Sequence, residues 1–132
     1  MKRVVIADDS KMARAFIRRS IEIALAEDAE YVEAVDGQDA FEKMKDAPTD
    51  LLVTDLNMPK MNGTQLLRRI IASPRLHGTP SIVVTSLLNP AKEKELRELG
   101  ASEILGKPLS PTELSDALSR IFEKTEEENY GW

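Results

Sequence analysis

The sequence predicts a single α/β domain, a doubly wound parallel sheet of five strands in the order 2-1-3-4-5 with helices on both faces. Three observations lead there. Short apolar runs and helix-period segments alternate five times, which is the pattern of consecutive strand–helix units. The first, third and fourth runs are almost wholly apolar, as strands covered on both faces must be, whereas the second contains Glu33 and the fifth Glu103, as suits the two sheet edges. Finally, four of the five runs stop on polar groups. Residues 4–7 stop on Asp8-Asp9, residues 51–54 on Asp55, residues 82–84 on Thr85-Ser86, and residues 104–106 on Lys107-Pro108.

The elements follow in order. After the first strand, residues 10–27 carry Met12, Ala13, Phe16, Ile17, Ile21, Ala24 and Leu25 at helical spacing, with Lys11, Arg14 and Arg18 turned elsewhere. Either Asp9 or Ser10 suits the cap of that helix. Residues 31–35 read as the second strand, broken by Asp36-Gly37, and a helix runs on through Phe41 and Met44 to about Ala47. The third strand ends at Thr54-Asp55, a loop covers residues 58–62, and Leu66, Leu67, Ile70 and Ile71 mark a helix over 63–73. A loop rich in Pro and Gly leads to the fourth strand. Asn89-Pro90 then supplies an N-cap with proline at the first helical position, and Gly100 closes that helix. The fifth strand covers residues 102–105. Ser110-Pro111-Thr112-Glu113 has the form of a capping box, and Leu114, Ala117, Leu118, Ile121 and Phe122 give an amphipathic last helix. The domain is expected to span residues 1–123, with 124–132 an acidic, flexible tail.

Composition narrows the function. The chain has 132 residues, enough for one domain with a sizeable core. Its formal net charge of −5 disfavours nucleic acid as the main ligand. Without cysteine there is no disulfide, thiolate catalysis or cysteine-bound zinc. Only four apolar residues separate Met1-Lys2-Arg3 from Asp8, too few for a secretory signal, and no stretch is long enough to span a membrane. A cytoplasmic protein that inserts in no membrane is the expectation.

In the order 2-1-3-4-5 the winding reverses between strands 1 and 3, and ligands bind beyond the carboxyl ends of strands at such a point. That crevice would hold Asp8, Asp9, Asp55, Thr85 and Lys107. Each alone has an ordinary explanation as a cap, a turn former or a solvated loop residue. Together they suit phosphoryl chemistry. Crowded carboxylates repel one another, and a hard divalent cation relieves the repulsion, so Asp8 and Asp9 suit Mg²⁺. Asp55, at the centre, suits a nucleophile that becomes an acyl phosphate. Lys107 supplies positive charge and Thr85 a hydrogen bond to a phosphoryl oxygen.

The set Asp8-Asp9, Asp55-Leu56-Asn57-Met58-Pro59, Gly63, Thr85 and Lys107-Pro108 resembles the receiver domain of two-component response regulators, over residues 2–123. The run Asp55-Leu56-Asn57-Met58-Pro59-Lys60-Met61-Asn62-Gly63 is similar to chemotaxis-type single-domain receivers. The resemblance implies a flavodoxin-like receiver fold and a signalling switch, not a conventional enzyme, although the chain would assist its own phosphorylation and dephosphorylation. It implies that Asp55 takes a phosphoryl group from a phosphohistidine on a histidine kinase or phosphotransfer protein. It implies Mg²⁺ held by Asp8, Asp9, Asp55 and the backbone carbonyl of Asn57, catalytic roles for Asp55, Thr85 and Lys107, a downstream protein target, and a cis Lys107–Pro108 bond. Two positions depart from the pattern. Ile104 stands where many receivers carry Tyr or Phe, and Leu87 where some carry an acid or amide that places water.

Other features carry less. Lys11, Arg14 and Arg18 form a stripe that reads as a solvated face or as a steering surface for an acidic partner. Glu93 and Arg97 are spaced for a helical ion pair. His77, the one histidine, lies in a loop, and Tyr130 and Trp132 end the tail. Two alternatives share the fold: a pseudo-receiver that never carries phosphate, and a receiver cut from a longer regulator with an output domain. A phosphatase with an Asp-x-Asp pair is disfavoured because Asn57 replaces the second acid, and Asp8-Asp9-Ser10-Lys11 would repel a dinucleotide's diphosphate.

Overall fold

The computed structural model describes the backbone of residues 1–129 and the side chains of residues 1–123. Five strands and five helices alternate: β1 (Lys2–Ala7), α1 (Lys11–Leu25), β2 (Ala29–Ala34), α2 (Gly37–Asp46), β3 (Leu51–Asp55), α3 (Gly63–Ile71), β4 (Ser81–Thr85), α4 (Pro90–Glu98), β5 (Glu103–Gly106) and α5 (Pro111–Asn129). All the strands are parallel, in the expected order β2-β1-β3-β4-β5. The tail expected at 124–132 lies outside the residues whose side chains are described, and the α5 backbone continues to Asn129.

The period of two along the strands splits the core into layers. Val4 and Ile6 of β1 face α1 and α5, where they meet Ile17, Ile21, Leu114, Ala117 and Leu118. Val5 and Ala7 face the other way, onto Ala40, Phe41 and Met44 of α2 and Leu66 and Ile70 of α3. A third cluster joins Val83 and Ile104 to Leu67 and to Leu96 of α4. Each fully buried Leu or Ile contributes about 1.5–3 kcal/mol relative to exposure. These layers are what hold the strand ends in one plane.

Caps fall where the sequence placed them at α1, α4 and α5, and the structure adds those of α2 and α3. Ser10, and not Asp9, caps α1, its side chain accepting from the Ala13 N–H. Asp36, Asn62 and Asn89 cap α2, α3 and α4, and Asn62 and Gln65 form a reciprocal capping box. At α5 the Ser110 hydroxyl accepts from the Glu113 N–H at 3.3 Å. Helix α1 stops at Leu25 because Ala26 turns into the left-handed region at φ 50°. The two edge acids are paired across from the helices, Glu33 with Arg14 and Glu103 with Arg120, and the expected Glu93–Arg97 pair is present at 3.7 Å.

Helix α1 corrects two expectations. Met12 and Phe16 do not join the packed stripe. They are 84% and 52% exposed, because the sheet and α5 cover the side of the helix that carries Ile17, Ile21, Ala24 and Leu25. Arg14 is neither solvated nor free to steer a partner. Its side chain is only 11% exposed and is bonded to Glu33 and to the backbone of Asp8.

Candidate functional site

The hydrogen-bonded ladder brings the sequence-distant residues together. Asp55 closes β3 and pairs in register with Val84, so Thr85 is one step further along β4, and Thr85 pairs with Gly106 of β5. Lys107 follows directly, its N–H donating to the Thr85 carbonyl at 2.9 Å. Asp8 follows β1 and donates its N–H to Ala34 at the end of β2. The carboxyl ends of strands 1, 3, 4 and 5 therefore meet along one edge of the sheet, as the order 2-1-3-4-5 predicts.

Asp8, Asp9 and Asp55 each turn a carboxylate oxygen into one spot, all within 4.8 Å of one another. Asp8 and Asp55 are buried and Asp9 is exposed. The Lys107 ammonium bridges the two buried acids, 3.3 Å from Asp8 Oδ2 and 3.5 Å from Asp55 Oδ1. Three carboxylates thus face one ammonium. Burial pushes the Asp55 carboxyl above its ordinary value; the Lys107 charge opposes that shift and Asp8 reinforces it. A donor set of clustered carboxylate oxygens, short of positive charge, fits a hard divalent cation such as Mg²⁺.

Backbone donors aim these acids. The Leu56 N–H donates to Asp55 Oδ1 at 2.8 Å, and the Ser10 N–H to Asp8 Oδ1 at 2.9 Å. The Thr54 hydroxyl donates to the Asp55 carbonyl at 2.9 Å. Two glycines let the following loop close tightly. A Cβ on Gly63 would stand 2.3 Å from the Asp55 carbonyl oxygen, and one on Gly37 2.3 Å from that of Met61, so neither site admits a side chain. Their N–H groups bond to Leu56 and Met61 across these close approaches.

Thr85 is buried, and its Oγ1 accepts from the Leu87 N–H at 3.1 Å, which leaves its hydroxyl hydrogen free to donate elsewhere. Leu87 itself is 62% exposed on the loop before α4. Asn57 is exposed two residues past Asp55. Lys107–Pro108 is cis. His77 lies between α3 and β4, away from these residues in the fold. Thr54, Gly37 and Arg14 also support the site but were not singled out for that role from sequence. Gly37 was visible there only as a strand breaker, and nothing in the spacing of Arg14 marked it as a buried group.

The fold and these residues define a class: the chain belongs to the response regulator receiver domain family, whose description matches residues 4–119. It is a chemotaxis-like receiver of two-component signalling, and receivers are signalling switches, not conventional enzymes. Among similar proteins is chemotaxis protein CheY1 of Helicobacter pylori (strain J99), 32% identical over 121 residues that cover 91% of this chain and 96% of the relative. The solved structure of chemotaxis protein CheY4 of Vibrio cholerae superposes with a TM-score of 0.82 at 30% identity, covering 92% of this chain and 99% of that one. The gliding motility regulatory protein of Myxococcus xanthus is 35% identical over 90% of this chain, but the match spans only 15% of that relative's length.

Proposed function

We propose that this chain is a phosphorylation-controlled switch that accepts a phosphoryl group on Asp55 from a phosphohistidine of a kinase or phosphotransfer protein. The single observation that carries the reading is the convergence of Asp8, Asp9 and Asp55 on one spot, with Lys107 the one ammonium paired to them among the described residues. An Asp55 carboxylate oxygen attacks phosphorus, the new P–O bond forms as the P–N bond breaks, and the imidazole leaves and recovers a proton from solvent. Such a transfer needs alignment and charge neutralisation more than acid–base work. Asp8, Asp9, Asp55 and the Asn57 carbonyl would hold Mg²⁺, which would supply charge neutralisation there. The Lys107 ammonium adds to it, already placed beside Asp55.

Output follows from Thr85. Its free hydroxyl hydrogen turns to a phosphoryl oxygen once Asp55 is modified. Because the Thr85 Oγ1 also accepts from the Leu87 N–H, drawing the Thr85 side chain to the phosphoryl group pulls on the start of the loop leading into α4. Ile104 packs with Leu96 of α4 and with Val83, so here the route to α4 runs through aliphatic packing, without an aromatic swing. Exposed Leu87 shields the acyl phosphate without activating water. The downstream target is a protein, residues 1–123 are the functional unit, and the setting is the cytoplasm. Among the described residues no helix is long and apolar enough to cross a membrane.

The test is the intact mass of the protein after incubation with Mg²⁺ and acetyl phosphate. The reading expects one added phosphoryl group, lost with EDTA and absent in Asp55→Asn. Wild type left unmodified beside a labelled control receiver would favour a pseudo-receiver.

A further inference from the structure

Arg14 is the one basic residue of the α1 stripe that the structure buries beside the acidic cluster. Its Nη1 donates to the backbone carbonyl of Asp8 at 2.7 Å, and its Nε donates to Glu33 Oε1 on the edge strand β2 at 2.9 Å. Both bonds use the planar fork of a guanidinium, which a lysine ammonium cannot reproduce from one position. Asp8 is thereby held on every available group. Its N–H bonds to Ala34, its carbonyl to Arg14, Oδ1 to the Ser10 N–H and Oδ2 to Lys107. The loop that presents Asp8 and Asp9 begins at this clamped residue.

We infer that Arg14 is a positioning residue for the cation site: by fixing the Asp8 carbonyl against β2 it aims the Asp8-Asp9 carboxylates at the spot they share with Asp55. The inference rests on the proposed Mg²⁺ role of those carboxylates. Its sign separates it from plain electrostatics. Arg14 brings a positive charge, so by Coulomb's law alone its removal would leave the cluster more negative and tighten Mg²⁺. Glu33 already balances that charge at 2.9 Å, so the field of the pair at the cluster is small and the geometric effect dominates. Partners that orient metal ligands from behind commonly change affinity by 10–100-fold when lost.

A matched control exists on the same strand. Arg3 is also 11% exposed and also uses its guanidinium on backbone carbonyls, those of Lys43 and Ala47, but it lies at the opposite end of β1 from Asp8. The experiment measures Mg²⁺ dissociation constants by calorimetry, and thermal unfolding without Mg²⁺, for wild type, Arg14→Lys, Arg14→Ala and Arg3→Lys. The expected result is Mg²⁺ binding weakened about tenfold in Arg14→Lys, weakened also in Arg14→Ala despite the lost cation, and unchanged in Arg3→Lys, although the Lys variants both unfold at lower temperature. Arg14→Lys binding Mg²⁺ as wild type does, Arg14→Ala binding it more tightly, or Arg3→Lys losing as much affinity would each overturn the inference. Wild type that binds no Mg²⁺ at all would instead overturn the cation reading on which it rests.

Discussion

The two edges of the sheet use the same kinds of groups to opposite ends. At the amino edge, Arg3 donates through one Nη to the carbonyls of Lys43 and Ala47 and to the Thr49 hydroxyl, while its own N–H takes Asp50. Lys2 pairs with Glu27 at 2.8 Å. Charge there is matched by charge or by backbone dipoles, and the result is a lock between β1, α2 and the start of β3. At the carboxyl edge, Asp8, Asp9 and Asp55 crowd together, and among the described residues Lys107 is the only side-chain cation paired with them, bridging Asp8 and Asp55. The mismatch costs stability there and leaves an appetite for positive charge. One strand, β1, carries both ends, so the contrast comes from what surrounds its termini, and the proposed function sits where the charges do not cancel.

The contrast can be broken at either edge. The largest effect is expected at the carboxyl edge: Lys107→Ala slows phosphoryl uptake from acetyl phosphate by roughly a hundredfold or more, measured as the rate of mass gain under fixed Mg²⁺. At the amino edge Arg3→Ala strips a buried cation from three acceptors and lowers unfolding free energy by about 3 kcal/mol in urea titration. Its phosphoryl uptake, measured where the protein is folded, stays that of wild type. Mg²⁺ at a hundredfold excess over its dissociation constant stabilises wild type by about 2.7 kcal/mol, and this gain shrinks in Asp55→Asn but not in Arg3→Ala.

The acidic edge also has a pH signature. Without Mg²⁺, burial holds the folded Asp55 carboxyl above its unfolded value. The folded state then keeps the proton more tightly, so this contribution is complete below the unfolded carboxylate range and is lost as pH rises through the folded value. Asp55→Asn cannot ionise. It is expected to unfold at a higher temperature than metal-free wild type at neutral pH, with the gap closing on acidification towards about pH 4. The smallest stability effect belongs to exposed Leu87: Leu87→Glu changes unfolding free energy by under about 0.5 kcal/mol. Its phosphoryl half-life shortens, because a carboxylate there can orient water at the acyl phosphate.

The strand order was legible because burial on both faces writes continuous apolar runs, and Glu33 and Glu103 broke them only at the edges. Asp8, Asp9, Asp55, Thr85 and Lys107 were legible because each ends a run, and parallel topology sends all such ends to one edge. The dispositions of Met12, Phe16 and Arg14 were not. Helical spacing says which residues share a stripe but not how far its neighbours reach around it, and the packed side of α1 takes in Ile17, Ile21, Ala24 and Leu25 but not Met12 or Phe16. The Arg3 lock was equally hidden, since its acceptors are mostly backbone carbonyls that no side-chain pattern announces.

The central claim is that the uncompensated edge makes Asp55 the phosphoryl acceptor. Borohydride reduction of the protein treated with Mg²⁺ and acetyl phosphate, followed by peptide sequencing in a mass spectrometer, tests it most directly, because reduction of an aspartyl phosphate leaves homoserine at the modified position. The expected result is homoserine at position 55 and at no other aspartate. Homoserine at Asp8 or Asp9, or none at all while a control receiver is labelled, would contradict it.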